Sequence, residues 1–168
     1  MGILSVKERA GLYTAGKNCA ILPAPLGDGT DGCVWQTSRK TAIKVFARSE
    51  NFETELACYQ LLAERNVREI YGYAIPRLLD FSRELLVVEM EIVEPPYILD
   101  FGKAYFKRHP PQFSAEVMQE TREAQIELWG EHWPKVRRIL AKLESLGIYH
   151  MDPKPGNIRP ANWNPSID

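Results

Sequence analysis

Two periodicities divide the chain. Cys33–Gln36 and Thr41–Phe46 are rich in β-branched and apolar residues and are separated by Ser38-Arg39-Lys40, which predicts two strands and a turn. Leu85–Val93 is a third strand-like run, and Arg77–Phe81 is a short strand restarting after Pro76. Between them the spacing switches to that of a helix over Ser49–Arg65, with Phe52, Leu56, Tyr59 and Ala63 on one face. Beyond Pro95-Pro96 the pattern is helical. Ser114 can cap a helix reaching about Glu131, and a second helix has Pro134 near its first turn, a stripe of Val136, Ile139, Leu140, Leu143 and Leu146, and Gly147 to end it. The stretch after Asn157 reads as irregular. The prediction is an α+β chain with a strand-rich unit over 1–93, a helical unit over 94–168, and a hinge near Val93–Tyr97.

Composition narrows the function classes. With 168 residues, 45% of them hydrophobic, the chain can bury roughly 68–70% of its unfolded surface without a disulfide or metal staple. Lys plus Arg number 21 against 22 acids, a net charge of −1, which argues against bulk electrostatic binding to nucleic acid or to an anionic membrane. No apolar run has the length of a signal peptide or a membrane span. Cys19, Cys33 and Cys58 have no Cys-x-x-Cys spacing, so free thiols in a reducing, cytoplasmic compartment are expected.

Three segments carry candidate chemistry. Gly27-Asp28-Gly29-Thr30-Asp31-Gly32-Cys33-Val34 fits G-x-G-x-x-G-x-V. It reads either as a flexible turn or as a loop whose backbone can approach phosphates. A dinucleotide fingerprint would need a helix directly afterwards, and here a strand follows. Lys44 lies mid-strand on the face of Ala42 and Phe46, where an ammonium is costly unless it meets an anion. Glu55, on the apolar seam of the Ser49–Arg65 helix, is its candidate partner, whereas Glu53 and Glu64 lie off that seam. His150-Met151-Asp152-Pro153-Lys154-Pro155-Gly156-Asn157 places a carboxylate, a cation and an amide in one short loop. That set suits phosphoryl transfer: the carboxylate holds an attacking hydroxyl, the ammonium neutralises the moving phosphate, and the amide oxygen binds Mg²⁺.

In this order, from about Leu26 to Asn157, the segments resemble the protein-kinase-like superfamily. The resemblance implies a kinase-like fold with a strand-rich N-lobe holding one helix and a reduced helical C-lobe. It implies ATP and Mg²⁺ as cofactors. Gly27, Gly29 and Gly32 would cover the phosphates, Lys44 would contact them and Glu55 would pair with Lys44. Val34 and Ala42 would sandwich the adenine, with Met90 behind it and the backbone of Glu91 to Val93 reading its edge. Asp152 would be the catalytic aspartate, Lys154 its helper and Asn157 a metal ligand.

There are departures. The connection from Val34 to Lys44 is short, and Met151 stands where an arginine is usual. The family's magnesium aspartate, in a D-F-G triplet, should follow Asn157 across a short hairpin. Asp100-Phe101-Gly102 spells those letters but precedes the loop, so it reads as a coincidence on the hinge side of the cleft. Asp168, the one acid after Asn157, is the candidate replacement, against the alternative of a frayed terminus. The expected activity is that of a minimal kinase transferring phosphate from Mg-ATP to a hydroxyl, a protein Ser/Thr by the presence of Lys154. Two alternatives stay open: a catalytically silent nucleotide- or partner-binding module, and a small-molecule phosphotransferase. The small size also fits the minimal kinases of bacterial effectors, for which delivery into a host cell is a further option.

Overall fold

The computed structural model describes residues 4–163. In chain order the elements are α1 (Val6–Ala15), β1 (Ile21–Gly29), β2 (Gly32–Thr37), β3 (Thr41–Phe46), α2 (Ser49–Glu64), β4 (Glu69–Ile70), β5 (Tyr73–Ala74), β6 (Leu78–Ser82) and β7 (Val87–Glu91). There follow β8 (Tyr97–Ile98), β9 (Tyr105–Phe106), α3 (Ala115–Trp129), a 3₁₀ turn at Gly130–His132, α4 (Trp133–Ser145), β10 (Ile148–Tyr149) and β11 (Ile158–Arg159). The fold is α+β.

A five-stranded antiparallel sheet, ordered β1-β2-β3-β7-β6, forms the frame. Strand alternation gives it two faces. Ala42, Phe46, Val88 and Met90 point into a core shared with α2 residues Phe52, Leu56, Tyr59 and Leu62. Trp35, Ile43, Val45 and Val87 point the other way, onto Ala10 and Tyr13 of α1. The first core continues through Phe101 into Val136, Ile139 and Leu143 of α4, so the apolar stripe of that helix is buried as its spacing predicts. Gly147, just beyond α4, takes φ +86.

Several boundaries differ from the sequence pattern, for physical reasons. α1 and β1 precede the first predicted strand. Pro23 and Pro25 do not forbid β1, because it is an edge strand with register shifts around Pro25. Strand β7 begins at Val87 and not at Leu85, since Leu86 turns with φ +50, and it ends at Glu91. α3 is capped by Ser114 as expected, its hydroxyl accepting from the Val117 N–H at 3.3 Å. Most of α3 is exposed, and Trp129 is its one buried residue.

A smaller sheet, ordered β11-β8-β5-β4, holds the segments that matter most for the site. In it β11 and β8 run antiparallel, with Ile158 opposite Ile98 and Arg159 opposite Tyr97. Among the described residues no helix is long and apolar enough to cross a membrane.

Candidate active site

Lys44 projects from β3 into the seam between the main sheet and α2, and only 8% of it is exposed. A charge there must be paired. Its Nζ donates to Glu55 Oε2 at 2.6 Å and to Asp100 Oδ1 at 2.9 Å, and it lies 4.8 Å from the Phe46 ring centroid. The helix register that put Glu55 on the apolar seam thus places its carboxylate on Lys44, while Glu53 pairs with exposed Arg83 at the surface.

The second partner overturns an expectation. Asp100-Phe101-Gly102 does not lie on the hinge side, away from Lys44: half-buried Asp100 joins the Lys44–Glu55 pair. The reason is the β8–β11 pairing. The segment lying antiparallel to the strand after Asn157 does exist, but the chain reaches it earlier, through Tyr97-Ile98-Leu99. The Leu99 N–H donates to the Asn157 carbonyl at 2.6 Å, and His150 Nε2 lies 3.1 Å from the Leu99 carbonyl oxygen. Sequence order and spatial order are therefore different here. Asp168, proposed as the metal ligand, lies outside the described residues.

Phe101 is fully buried, edge-on to Tyr59 at 5.3 Å and to His150 at 5.7 Å, which anchors the turn between the two halves of the core. A Cβ at Gly102 would lie 3.3 Å from Glu55 Oε2, so the turn passes close over the α2 carboxylate. One ammonium faces two carboxylates, and their environments separate them. Complete burial pushes Glu55 up to about 7 against the pull of Lys44, with Asp100 adding to the rise. For Asp100 burial also acts upward, but the Lys44 charge and its hydrogen bond outweigh it and hold that carboxyl below its ordinary range. Burial depresses Lys44, yet its two carboxylates raise it overall. Burial lowers His150, against the opposing effects of Asp100 and Asp152, so its buried ring favours the neutral form.

The loop after β10 is held by its own polar groups. Asn157 Nδ2 donates to the Asp152 carbonyl at 2.8 Å and to Asp152 Oδ2 at 3.3 Å. Lys154 Nζ is 2.8 Å from Asp152 Oδ2, and Trp129 Nε1 ties the Pro153 carbonyl to α3 at 3.2 Å. Asp152, Lys154 and Asn157 are thus brought together. With its Nδ2 group donating to Asp152, the Asn157 amide leaves its oxygen as an acceptor.

The glycine segment is a hairpin: β1 runs to Gly29, and Thr30–Asp31 make the turn into β2. Gly27 and Gly29 have open space where a Cβ would stand. Gly32 is different. Its φ is +144 and an added Cβ would sit 2.1 Å from the Val45 carbonyl oxygen, so glycine is required there by contact with β3. Val34 lies opposite Lys44, and Ala42 opposite Met90, on the same sheet face. The Glu91 N–H is already committed to the Arg77 carbonyl at 3.0 Å, and its side chain pairs with Arg77 at 2.8 Å. Val93 is half-buried just beyond β7. Sequence reasoning did not single out Asp31, Asn51 or Lys103, which meet beside this hairpin.

No family model and no curated protein matches the chain. Among solved structures, the streptomycin–ATP–APH(2")-IIa ternary complex is similar at 13% identity and a TM-score of 0.41, over 77% of this chain. The chain spans 38% of the length of that structure.

Proposed function

We propose that the chain is an ATP-dependent phosphotransferase of kinase-like design, acting on a hydroxyl. The observation that carries the reading is the buried Lys44–Glu55–Asp100 cluster on one side of β8–β11, with the Asp152–Lys154–Asn157 loop directly joined to it through Leu99 and Asn157. A lysine fixed by a helix carboxylate, beside a glycine hairpin with an open outer surface, suits the phosphates of a nucleotide. In this reading residues 1–93 form the N-lobe and 94–168 the reduced C-lobe. Val34, Ala42 and Met90 face the base, the Glu91–Val93 backbone borders it, and Gly27, Gly29 and Gly32 arch over the phosphates.

Asp152 is the group that holds the acceptor hydroxyl and takes its proton. Lys154, already on Asp152 Oδ2, orients that carboxylate. Asp100 and Asn157 are the residues that would hold Mg²⁺, and a carboxylate with an amide oxygen is the hard-oxygen donor set that cation takes. When bound, the ion supplies neutralisation of the charge on the transferring phosphate. Asp100 thus replaces Asp168 as the proposed aspartate. Phe101, packed against Tyr59 and His150, holds it in place. For the acceptor, a protein Ser/Thr hydroxyl is the reading that Lys154 supports.

The test is transfer of labelled γ-phosphate from Mg-ATP to a panel of proteins and small alcohols, with Asp152→Ala as control. The expected result is transfer by the wild type and strongly reduced transfer by the variant. Equal transfer by both would contradict the proposed role of Asp152, and a folded wild type showing neither transfer nor ATP binding would contradict the function.

A further inference from the structure

Asp31, at the tip of the glycine hairpin, is tethered in three directions. Its Oδ1 accepts from Asn51 Nδ2 of α2 at 2.9 Å, its Oδ2 meets Lys103 Nζ at 2.9 Å, and its carbonyl accepts from the Ala47 N–H at 3.0 Å. Lys103 directly follows Asp100-Phe101-Gly102, and its side chain is 47% exposed. Its ammonium answers to three carboxylates from three segments: the Asp31 hydrogen bond chiefly raises its pKa, and the charges of Asp152 and Asp100 add to it. An acid at the tip of a hairpin that covers phosphates would repel them. Here that acid is bound by a lysine borne on the turn that also carries Asp100.

We propose that the Asp31–Lys103 pair is a bridge across the mouth of the cleft, which fixes the height of the glycine hairpin over Asp100 and cancels the charge of Asp31 so that a nucleoside triphosphate can lie beneath it. Both are positioning residues: Lys103 acts on the phosphates through Asp31. The ligand class rests on the phosphotransferase reading, whereas the bridge itself does not.

Two arms keep these apart. In the nucleotide-free chain, amide hydrogen exchange over residues 27–34 should quicken in Lys103→Met and in Asp31→Asn. The melting temperature should move little in either variant, because Lys103 is half-exposed at the rim of the cleft. Lys103→Gln serves if the methionine variant does not fold. In the binding arm, Lys103→Met should weaken Mg-ATP roughly three- to tenfold, the scale of a single rim charge. Asp31→Asn should weaken Mg-ATP less than Lys103→Met, because it loosens the hairpin but also removes the repelling charge, and Lys103→Met/Asp31→Asn should bind as Asp31→Asn does. Unchanged exchange in Lys103→Met would overturn the bridge whether or not ATP binds. A double variant as weak as Lys103→Met would overturn the action through Asp31, since Lys103 would then hold the phosphate by itself.

Discussion

The two faces of the main sheet each bury a carboxylate, and they treat it differently. On the α2 face, Glu55 shares one ammonium with Asp100. On the α1 face, Glu89 of β7 accepts from Tyr13 Oη at 2.9 Å and from Thr41 Oγ1 at 2.7 Å, with Lys17 at 3.4 Å. Lys17 also pairs with Asp80. Glu89 is thus satisfied by neutral hydroxyls on rigid elements, and the network fastens α1 to the sheet. Burial of the Tyr13 phenol beside Glu89 drives its pKa upward, so it remains a proton donor in the bond. The Lys44 cluster instead takes one of its carboxylates from a turn, next to a second loop of polar groups. A buried charge is therefore not by itself a site. What distinguishes the α2 face is that its shared ammonium is buried and one of its carboxylates comes from a turn, whereas Lys17 and Asp80 are more exposed.

The contrast can be broken from either side. The largest expected effect is catalytic: Asp152→Ala should lower phosphoryl transfer by about 10²–10⁴-fold, the usual contribution of a positioned general base, while ATP binding persists in a thermal-shift assay. Next is Lys44→Met, which strands buried Glu55 and half-buried Asp100 and should cost about 3–5 kcal/mol by urea denaturation, along with ATP binding. On the other face, Tyr13→Phe should cost about 1–3 kcal/mol by leaving Glu89 short of a donor, with ATP affinity unchanged. Comparable loss of ATP binding from Tyr13→Phe would erase the distinction between the faces.

A pH series sharpens it further. The folded-state pKa of Glu55 is raised from 4.5 to about 7, so its contribution to stability is complete below 4.5 and is lost as pH rises toward 7. The difference in stability between Glu55→Gln and wild type should accordingly shift in favour of the variant across that window. A flat difference would mean that Glu55 is ionised throughout. The smallest effect belongs to Glu53→Gln, a surface change expected within about ±0.5 kcal/mol.

The legible parts of the fold were those where packing imposes a period. Thr41–Phe46 and α2 carry alternation and helical spacing because each faces a core on one side, and Glu55 was found by that register. β1 was hidden because its prolines and glycines suit an exposed edge. α1 was hidden because only Ala10, Tyr13 and Thr14 of it are buried, too few to make a stripe. The contact of Asp100 with Lys44 was hidden for another reason. Motif order along the chain stood in for arrangement in space, and the pairing of β8 with β11 is a long-range contact that no local pattern encodes. The signal available was Tyr97-Ile98-Leu99, a short apolar run leading directly into Asp100-Phe101-Gly102.

The role of Asp100 is decided most directly by calorimetric titration of ATP, with Mg²⁺ and with EDTA, into wild type, Asp100→Asn and Asp28→Asn. Asp100→Asn keeps the Lys44–Glu55 pair, so the variant should fold and bind free ATP. Its affinity should no longer respond to Mg²⁺, whereas wild type and Asp28→Asn should bind Mg-ATP more tightly than free ATP. Full Mg²⁺ dependence retained in Asp100→Asn would contradict the assignment and leave Asp100 as a structural partner of Lys44.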